Sequence, residues 1–309
     1  MASKDDLVVV TCASGKQGSH LVPLLHTHYR LRLVVNSSAS ATRLQQQYPS
    51  AEVVQADLAQ PNDCITILDG ATAVYHIGPP IHPHEKEIGY NMIDAAVLEA
   101  AKPSSSFAHF VFSSVLNTQL RKMYNHDDKR YIEEYLIESG LNFTILQPAD
   151  FLDMTFVHLI QQSRDPSVQL SWKSPLGPES KSSLVTLKDL GEAGAKVIGE
   201  RERHYQSIYP LVSIGPIFYR EAVRRLADTI GRNIEIEDLS LEERANFLCT
   251  LIFGSVEATP VRSRDKAERL VLFYQRRGLQ GNKNVLEWLL GRESTDIETW
   301  ASNQLKAEV

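Results

Sequence analysis

The segment Val8–Gly18, VVVTCASGKQG, holds the residues best suited to chemistry in this chain. A β-branched run leads into a turn punctuated by Gly15 and Gly18. A strand–turn–helix of this kind cradles phosphate, because glycines let the backbone approach a ligand and the first N–H groups of a helix lack intrahelical acceptors. Ser14, Lys16 and Gln17 line the same turn, and Cys12 stands where a further glycine is usual. Cys12 is accommodated if its backbone stays at negative φ, with the phosphates pushed slightly outward. Cys12, Ser14, Gly15, Lys16, Gln17 and Gly18 therefore read as a dinucleotide phosphate site. The alternative is a packing turn in a domain that has lost its ligand.

Three later segments extend that site. The second strand ends in Asn36, Ser37 and Ser38, with no acid at its tip to accept both ribose hydroxyls. These three side chains can donate to a 2′-phosphate, and Arg43 lies one turn into the next helix. NADP(H) is expected in preference to NAD(H). Asp57 and Leu58 follow the third strand, where the carboxylate would accept from the adenine amine and Leu58 would cover the ring; alternatively Asp57 caps the helix near Pro61. Gly78 and Pro79 end the fourth strand, and Gly78 lets the backbone approach the nicotinamide ribose. His82 and His84 follow. Their spacing is poor for zinc and no third ligand is evident, so no metal is expected and His82 is read as a pocket residue.

The proton-transfer candidates are Ser113, Tyr124, Lys129 and His82. Ser113 ends the fifth strand beside the expected nicotinamide. Lys129 would hold the ribose and lower the pKa of a phenol one helical turn before it. The residue there is Asn125, which cannot act as an acid; Tyr124 and Tyr131 are out of register. A carbonyl reduction would draw its proton from Lys129, Tyr124, water or substrate. An iminium, activated alkene or quinone-like acceptor needs an enzyme acid less. Alternatively Lys129 is one residue of a charged helix, laced by Lys129–Glu133 and Arg130–Glu134 pairs.

The elements that must position these residues alternate through the first half of the chain. Strands are expected at Leu7–Val10, Leu31–Val35, Glu52–Gln55, Ala73–Ile77, Phe107–Phe112 and Phe143–Leu146. Helices are expected at Gly18–His28, Ala41–Gln47, Ile88–Ala101 and Asp128–Ser139. This pattern predicts an α/β, doubly wound parallel-sheet Rossmann domain with a smaller C-terminal substrate lobe. Residues 1–150 would bind the dinucleotide, with 186–212 returning to that domain. Residues 151–309 would supply mainly the substrate lobe and C-terminal helices. Within them 151–185 reads as irregular. Thr186–Gly199, Phe218–Ile230, Glu242–Gly254, Arg264–Arg277 and Asn284–Leu290 read as helices, and Gln206–Val212 and Ile234–Ile236 as strands. The first six and last six residues read as disordered.

The 309 residues suffice for a sizeable core. Three scattered cysteines suggest a reducing compartment, and the expected location is the cytoplasm. No apolar stretch predicts a membrane span. The net charge of −6 argues against nucleic acid as a partner. Arg262, Arg264, Lys266, Arg269, Arg276, Arg277 and Lys283 form a local exception. With Asp265 and Glu268 interleaved they read as a solvated helix face, or as a docking surface.

Taken jointly, TCASGKQG, ADL after strand three, GPP after strand four, FSSV, HDDKRxxEEYLxESGL and TILQP resemble the NmrA-like family of atypical short-chain dehydrogenases. The stretch at 278–300, GLQGNKNVLEWLLGRESTDIETW, looks like the tail of fungal members. The resemblance spans nearly the whole chain. It implies an NAD(P)-binding domain, a smaller lobe and an active cleft between them. It assigns Gly15 and Gly18 to the phosphate loop, Lys129 to the retained lysine and His126 to the helix start. Pro148, Ala149 and Phe151 fall in the segment that closes over the nicotinamide. Asn36 stands where many members have arginine, Cys12 departs from the common GATG, and the missing tyrosine is typical of the family.

The expected function is NADPH-dependent reduction of a small hydrophobic metabolite (aromatic, quinone, enone or imine-like), in the setting of fungal secondary metabolism, by a monomer or homodimer. Its pocket would draw on Gly78–His84, Ser113–Leu116, Tyr124, Phe151–Phe156 and parts of 170–185. One alternative is a nucleotide-binding regulator or redox sensor, docking a protein partner on the basic helix at 262–277. Another is a non-redox isomerase, dehydratase or cyclase using Lys129, His82, Tyr124 or Asp153.

Overall fold

A computed structural model describes residues 3–307. β1 (Leu7–Val10) leads to α1 (Lys16–Leu25), β2 (Arg30–Val35), α2 (Ser38–Gln47), β3 (Glu52–Gln55), α3 (Pro61–Leu68), β4 (Ala73–Ile77), α4 (Glu85–Ala100), β5 (His109–Ser113), α5 (Tyr124–Glu138) and β6 (Phe143–Pro148). Then follow β7 (Asp150–Phe151), α6 (Leu152–Ser163), β8 (Leu170–Trp172), β9 (Lys181–Val185), α7 (Leu187–Glu200), β10 (Ser207–Leu211) and β11 (Ile214–Phe218). The chain closes with α8 (Tyr219–Ile230), β12 (Ile234–Ile236), α9 (Leu241–Phe253), α10 (Val261–Arg276), α11 (Asn284–Leu290) and α12 (Ile297–Lys306). Among the described residues no helix is long and apolar enough to cross a membrane.

The central sheet has the order β10-β6-β5-β4-β1-β2-β3. The pairs from β3 across to β6 are parallel. This is a Rossmann-like α/β fold, and the strand order reverses at β1, between β2 and β4. β1, β4 and β5 are buried along their whole length, as expected of strands covered on both faces. The sheet belongs to a compact unit made of the chain up to Gln119, His126–Gln147 and Leu190–Tyr209. Its core packs Val9, Val34 and Val74 of the sheet with Ile67, Met92 and Ile132 of α3, α4 and α5. Gly89 of α4 lies so close to Ile132 that a Cβ there would meet it at 2.5 Å.

A second compact unit comprises Leu120–Asn125, Pro148–Asp189 and the chain from Pro210 onward. It contains the β11-β9-β7 sheet and the parallel β12-β8 pair. Its core joins Phe156 and Leu159 of α6, Trp172, Leu184, Tyr219 and Trp300. Residues 151–185 are thus not irregular. Leu152, Phe156, Leu159 and Ile160 recur at helical spacing and bury one face of α6. Phe156 and Trp172, expected to line a pocket, are fully buried core instead. The brief excursion of Leu120–Asn125 into this unit has no counterpart in the sequence pattern.

Several boundaries differ from expectation. α1 stops at Leu25, short of His28, and α2 starts three residues early because the Ser37 hydroxyl accepts from the Ser40 N–H at its N-terminus. Gln304–Lys306, expected to be disordered, complete α12, and Asp6 is tied to Arg201 at 2.6 Å. Residues 1–2 and 308–309 lie outside the described residues. Lys266 of the basic run is buried. Arg264 and Arg269 pair with Glu268 and Asp265 one turn away, which favours the solvated, self-neutralised helix face.

The second unit is clasped by buried carboxylates. Asp150 accepts from Ser182 Oγ at 2.5 Å, from the Tyr219 hydroxyl at 3.1 Å and from the Tyr274 hydroxyl at 2.5 Å, joining β7, β9, α8 and α10. Burial pushes Asp150 up to about 6, against the pull of those three donors. Asp189 is also opposed by burial, but donors from Ser213, Arg292 and Thr295 hold it below the ordinary carboxylate range. The Tyr274 hydroxyl stabilises the charged form of Asp150, so its loss costs most where that carboxyl is ionised. Tyr274→Phe should lower stability by roughly 1–3 kcal/mol at pH 7.5, and by clearly less at pH 4.5, where Asp150 is protonated in the folded state. Urea unfolding at the two pH values measures this; an equal loss at both would contradict it.

Candidate functional site

At the carboxyl end of β1 the chain turns through Thr11–Gly15 into α1. Thr11 Oγ donates to the Ile77 carbonyl at 3.0 Å and accepts the Ile77 N–H at 2.8 Å, locking β1 to β4. The Gly15 N–H returns to the Cys12 carbonyl at 2.9 Å. The N-terminus of α1 has no side-chain cap and no acid in its first turn. That end of the helix therefore presents uncapped N–H donors and a positive dipole end. Gly15 is exposed, whereas Gly18 is packed so tightly that a Cβ would lie 2.2 Å from the Ala13 carbonyl oxygen.

Cys12 differs from expectation. Its φ is +47°, in the left-handed region, not the negative φ that would accommodate a side chain readily. The tight Cys12–Gly15 turn requires that conformation, and glycine would adopt it without strain. The thiol is not activated by the helix end. Burial pushes it up to about 11, offset in part by the Lys129 charge.

The adenosine-side candidates gather around the same turn. Arg43 Nη2 reaches the Ser14 carbonyl at 3.4 Å, which brings α2 to the loop. Asn36 and Ser38 are exposed, while the Ser37 hydroxyl caps α2. Asp57 is exposed and accepts from the Ala59 N–H at 3.0 Å; its own N–H donates to Asp63. It does not cap α3, whose N-cap residue is Gln60. Leu58 is buried. A Cβ on Gly78 would meet nothing within 4 Å, so the backbone there borders open space, beside half-buried Pro79.

The proton-transfer candidates prove mostly occupied. Ser113 Oγ is buried and donates to Gln17 Oε1 at 2.7 Å, so the glycine loop and the end of β5 are tied together. Lys129 Nζ pairs with Glu85 Oε1 at 2.7 Å and lies 5.6 Å from the centroid of Phe112. The expected Lys129–Glu133 pair is absent. Glu133 accepts instead from Ser114, Thr118 and Gln147, a buried network that ties β5 and β6 to α5. The Arg130–Glu134 pair does form. His126 Nδ1 donates to the Asn117 carbonyl at 3.2 Å, and burial holds it down at about 4, hence neutral.

Tyr124 is exposed, with the Arg269 guanidinium 4.1 Å from its ring centroid. Asn125 is buried in the second unit, and its Oδ1 finds no partner. His82 is half-exposed and accepts the His84 N–H through Nδ1 at 3.1 Å. Asp153 is unsuited to general acid–base work, because its oxygens accept the Leu187 N–H at 2.8 Å and Trp300 Nε1 at 2.9 Å. Pro148 ends β6, and Phe151 lies in β7 against β9; both belong to the second unit.

Sequence reasoning missed Glu85 and Gln147, and gave Glu133 to Lys129 rather than to Ser114, Thr118 and Gln147. Glu85 opens α4 as an ordinary first-turn acid, and only tertiary packing reveals its partner. Two outcomes test this geometry. Gly18→Ala should destabilise the protein or force α1 off β1, since the Ala13 carbonyl cannot retreat; circular dichroism melting would register a lowered midpoint. Cys12 should resist iodoacetamide at pH 8, because about one thiol in a thousand would be ionised against about one in four for an ordinary cysteine. Rapid labelling of Cys12, read by peptide mass spectrometry, would contradict a half-buried, neutral thiol.

Among curated proteins none matches the sequence significantly. Among solved structures, the Citrobacter sp. triphenylmethane reductase complexed with NADP(H) is similar at a TM-score of 0.74 and 20% identity, over 96% of this chain and 99% of that one. An NADPH-dependent quinone oxidoreductase from Escherichia coli, complexed with NADPH, is similar at 0.68 and 19%, over 96% and 99%. The negative transcriptional regulator NmrA in complex with NAD is similar at 0.71 and 16%, over 97% and 95%. The NmrA-like family matches residues 4–301. With the reversed parallel sheet and the glycine turn at its switch point, that match makes the chain a member of the NmrA-like family.

Proposed function

We propose that the chain is an NADPH-dependent reductase of a small hydrophobic acceptor, of quinone, enone, imine or aromatic dye type. The observation that carries this reading is the uncapped N-terminus of α1 at the switch point of the sheet, with Arg43 brought to the Ser14 carbonyl. Ser14, Gly15, Lys16, Gln17 and Gly18 would hold the pyrophosphate. Asn36, Ser38 and Arg43 would meet the 2′-phosphate, for which no competing carboxylate stands at the end of β2. Asp57 keeps one carboxylate oxygen beyond its Ala59 bond for the adenine amine. Gly78, Pro79 and Lys129 would receive the nicotinamide ribose. The dinucleotide, when bound, supplies the hydride.

The acceptor class follows from what stands near Lys129. Among the described residues no tyrosine hydroxyl contacts its ammonium. Ser113 already donates to Gln17. Acceptors that need little help from an enzyme acid suit such a site. The reductases of triphenylmethane dyes and of quinones among the structural neighbours support the same class. A second reading, a nucleotide-binding regulator, is favoured by the occupied state of both Ser113 and Lys129 and by the likeness to NmrA.

Calorimetric titration with NADPH and NADH, followed by absorbance at 340 nm with quinones, enones, imines and dyes, separates these readings. The reductase reading expects tighter NADPH binding and oxidation by at least one acceptor class. It also expects Arg43→Ala to weaken NADPH roughly tenfold while sparing NADH. Binding without oxidation by any acceptor would move the conclusion to the regulator. If neither nucleotide binds, both readings fail.

A further inference from the structure

We propose that Glu85 is the positioning residue of this site: its single carboxylate makes Lys129 and the Gly78–His84 turn one rigid piece, so that the ammonium is presented to the ribose. The proposal rests on the dinucleotide reading and goes beyond it, because it concerns a residue that would act through Lys129.

Glu85 is 1% exposed and is the first residue of α4. Oε1 lies 2.7 Å from Lys129 Nζ, while Oε2 accepts the Ile81 N–H at 3.1 Å. The Glu85 N–H closes back on the His82 carbonyl at 3.3 Å. One carboxylate therefore spans two elements that would flank the ribose, the turn after β4 and the lysine of α5. The turn needs holding. Ile81 has φ +59°, a left-handed conformation that is costly for a β-branched residue and persists only where its surroundings over-determine it.

Lys129 needs holding for a different reason. Its side chain is only 11% exposed. The groups that feel its charge include the Cys12 thiol, His76 and His126, all neutral at pH 7, since burial places them at about 11, 3 and 4. Glu133 also senses the ammonium, but its oxygens are engaged by Ser114, Thr118 and Gln147. Glu85 is thus the carboxylate in contact with Lys129. The ion pair holds the ammonium in place by charge, since Glu85 Oε1 accepts no hydrogen bond, and an ammonium has three donors to offer a ligand.

A double-mutant cycle tests this: wild type, Glu85→Gln, Lys129→Met and the double variant, each titrated with NADPH by calorimetry, with melting midpoints recorded alongside. Glutamine keeps an acceptor for the Ile81 N–H and removes the charge. Glu85→Gln should weaken NADPH binding about fivefold or more beside Lys129, and less than about twofold in the Lys129→Met background. Equal losses in both backgrounds would mean that Glu85 only builds the turn, and would overturn the proposal. So would unchanged or tighter binding, which would mean that Glu85 restrains the lysine from the ligand. Should Glu85→Gln fail to fold, Glu85→Asp, charged but too short to span both partners, is read in the same cycle with the same expectations. If wild type binds neither NADPH nor NADH, the dinucleotide reading itself has failed, an outcome distinct from additive losses in a binding protein.

Discussion

The first unit depends on a contact that admits no side chain. Gly18 of α1 rests on the Ala13 carbonyl, and even one Cβ would sit 2.2 Å from that oxygen. The contact sets how closely α1 lies on β1, and hence where its uncapped N–H groups point. Around it the chain is cross-tied by polar side chains rather than by apolar packing alone. Thr11 joins β1 to β4, Gln17 joins the glycine turn to β5, and Glu133 joins α5 to β5 and β6. These ties lie at the carboxyl ends of the strands, where an open α/β sheet binds its ligands.

The second unit uses buried acids for another purpose. Asp150, Asp153 and Asp189 each gather donors from segments distant in sequence. Their donors include hydroxyls, an indole N–H, backbone N–H groups and the Arg292 guanidinium. Buried carboxylates held this way specify which segments meet, because a mismatch would strand a charge without partners. Such acids are poor candidates for catalysis, however suggestive their burial.

Membership of the NmrA-like family accords with the parallel sheet and its order, and the similar structures include both reductases and a transcriptional regulator. What this chain adds is its own chemistry at the turn. A left-handed Cys12 occupies a glycine's place, and a carboxylate from α4 grips the lysine.

The sequence alone determined the alternation of elements and the site of the phosphate turn. β-branched runs such as Leu7–Val10 and Ala73–Ile77, separated by helical periods, leave few other folds, and Gly15 and Gly18 mark the turn through local backbone geometry. It also held the signal for α6 in Leu152, Phe156, Leu159 and Ile160, which nearby prolines and serines obscured. Tertiary structure alone decided the choice of Glu85 over Glu133 as partner of Lys129, the burial of Lys266 and the engagement of Asp153. The physical reason is common to all three. Periodicity and turn chemistry act within a few residues, whereas the partner of a buried charge is chosen by whichever distant group the packing brings within hydrogen-bond reach.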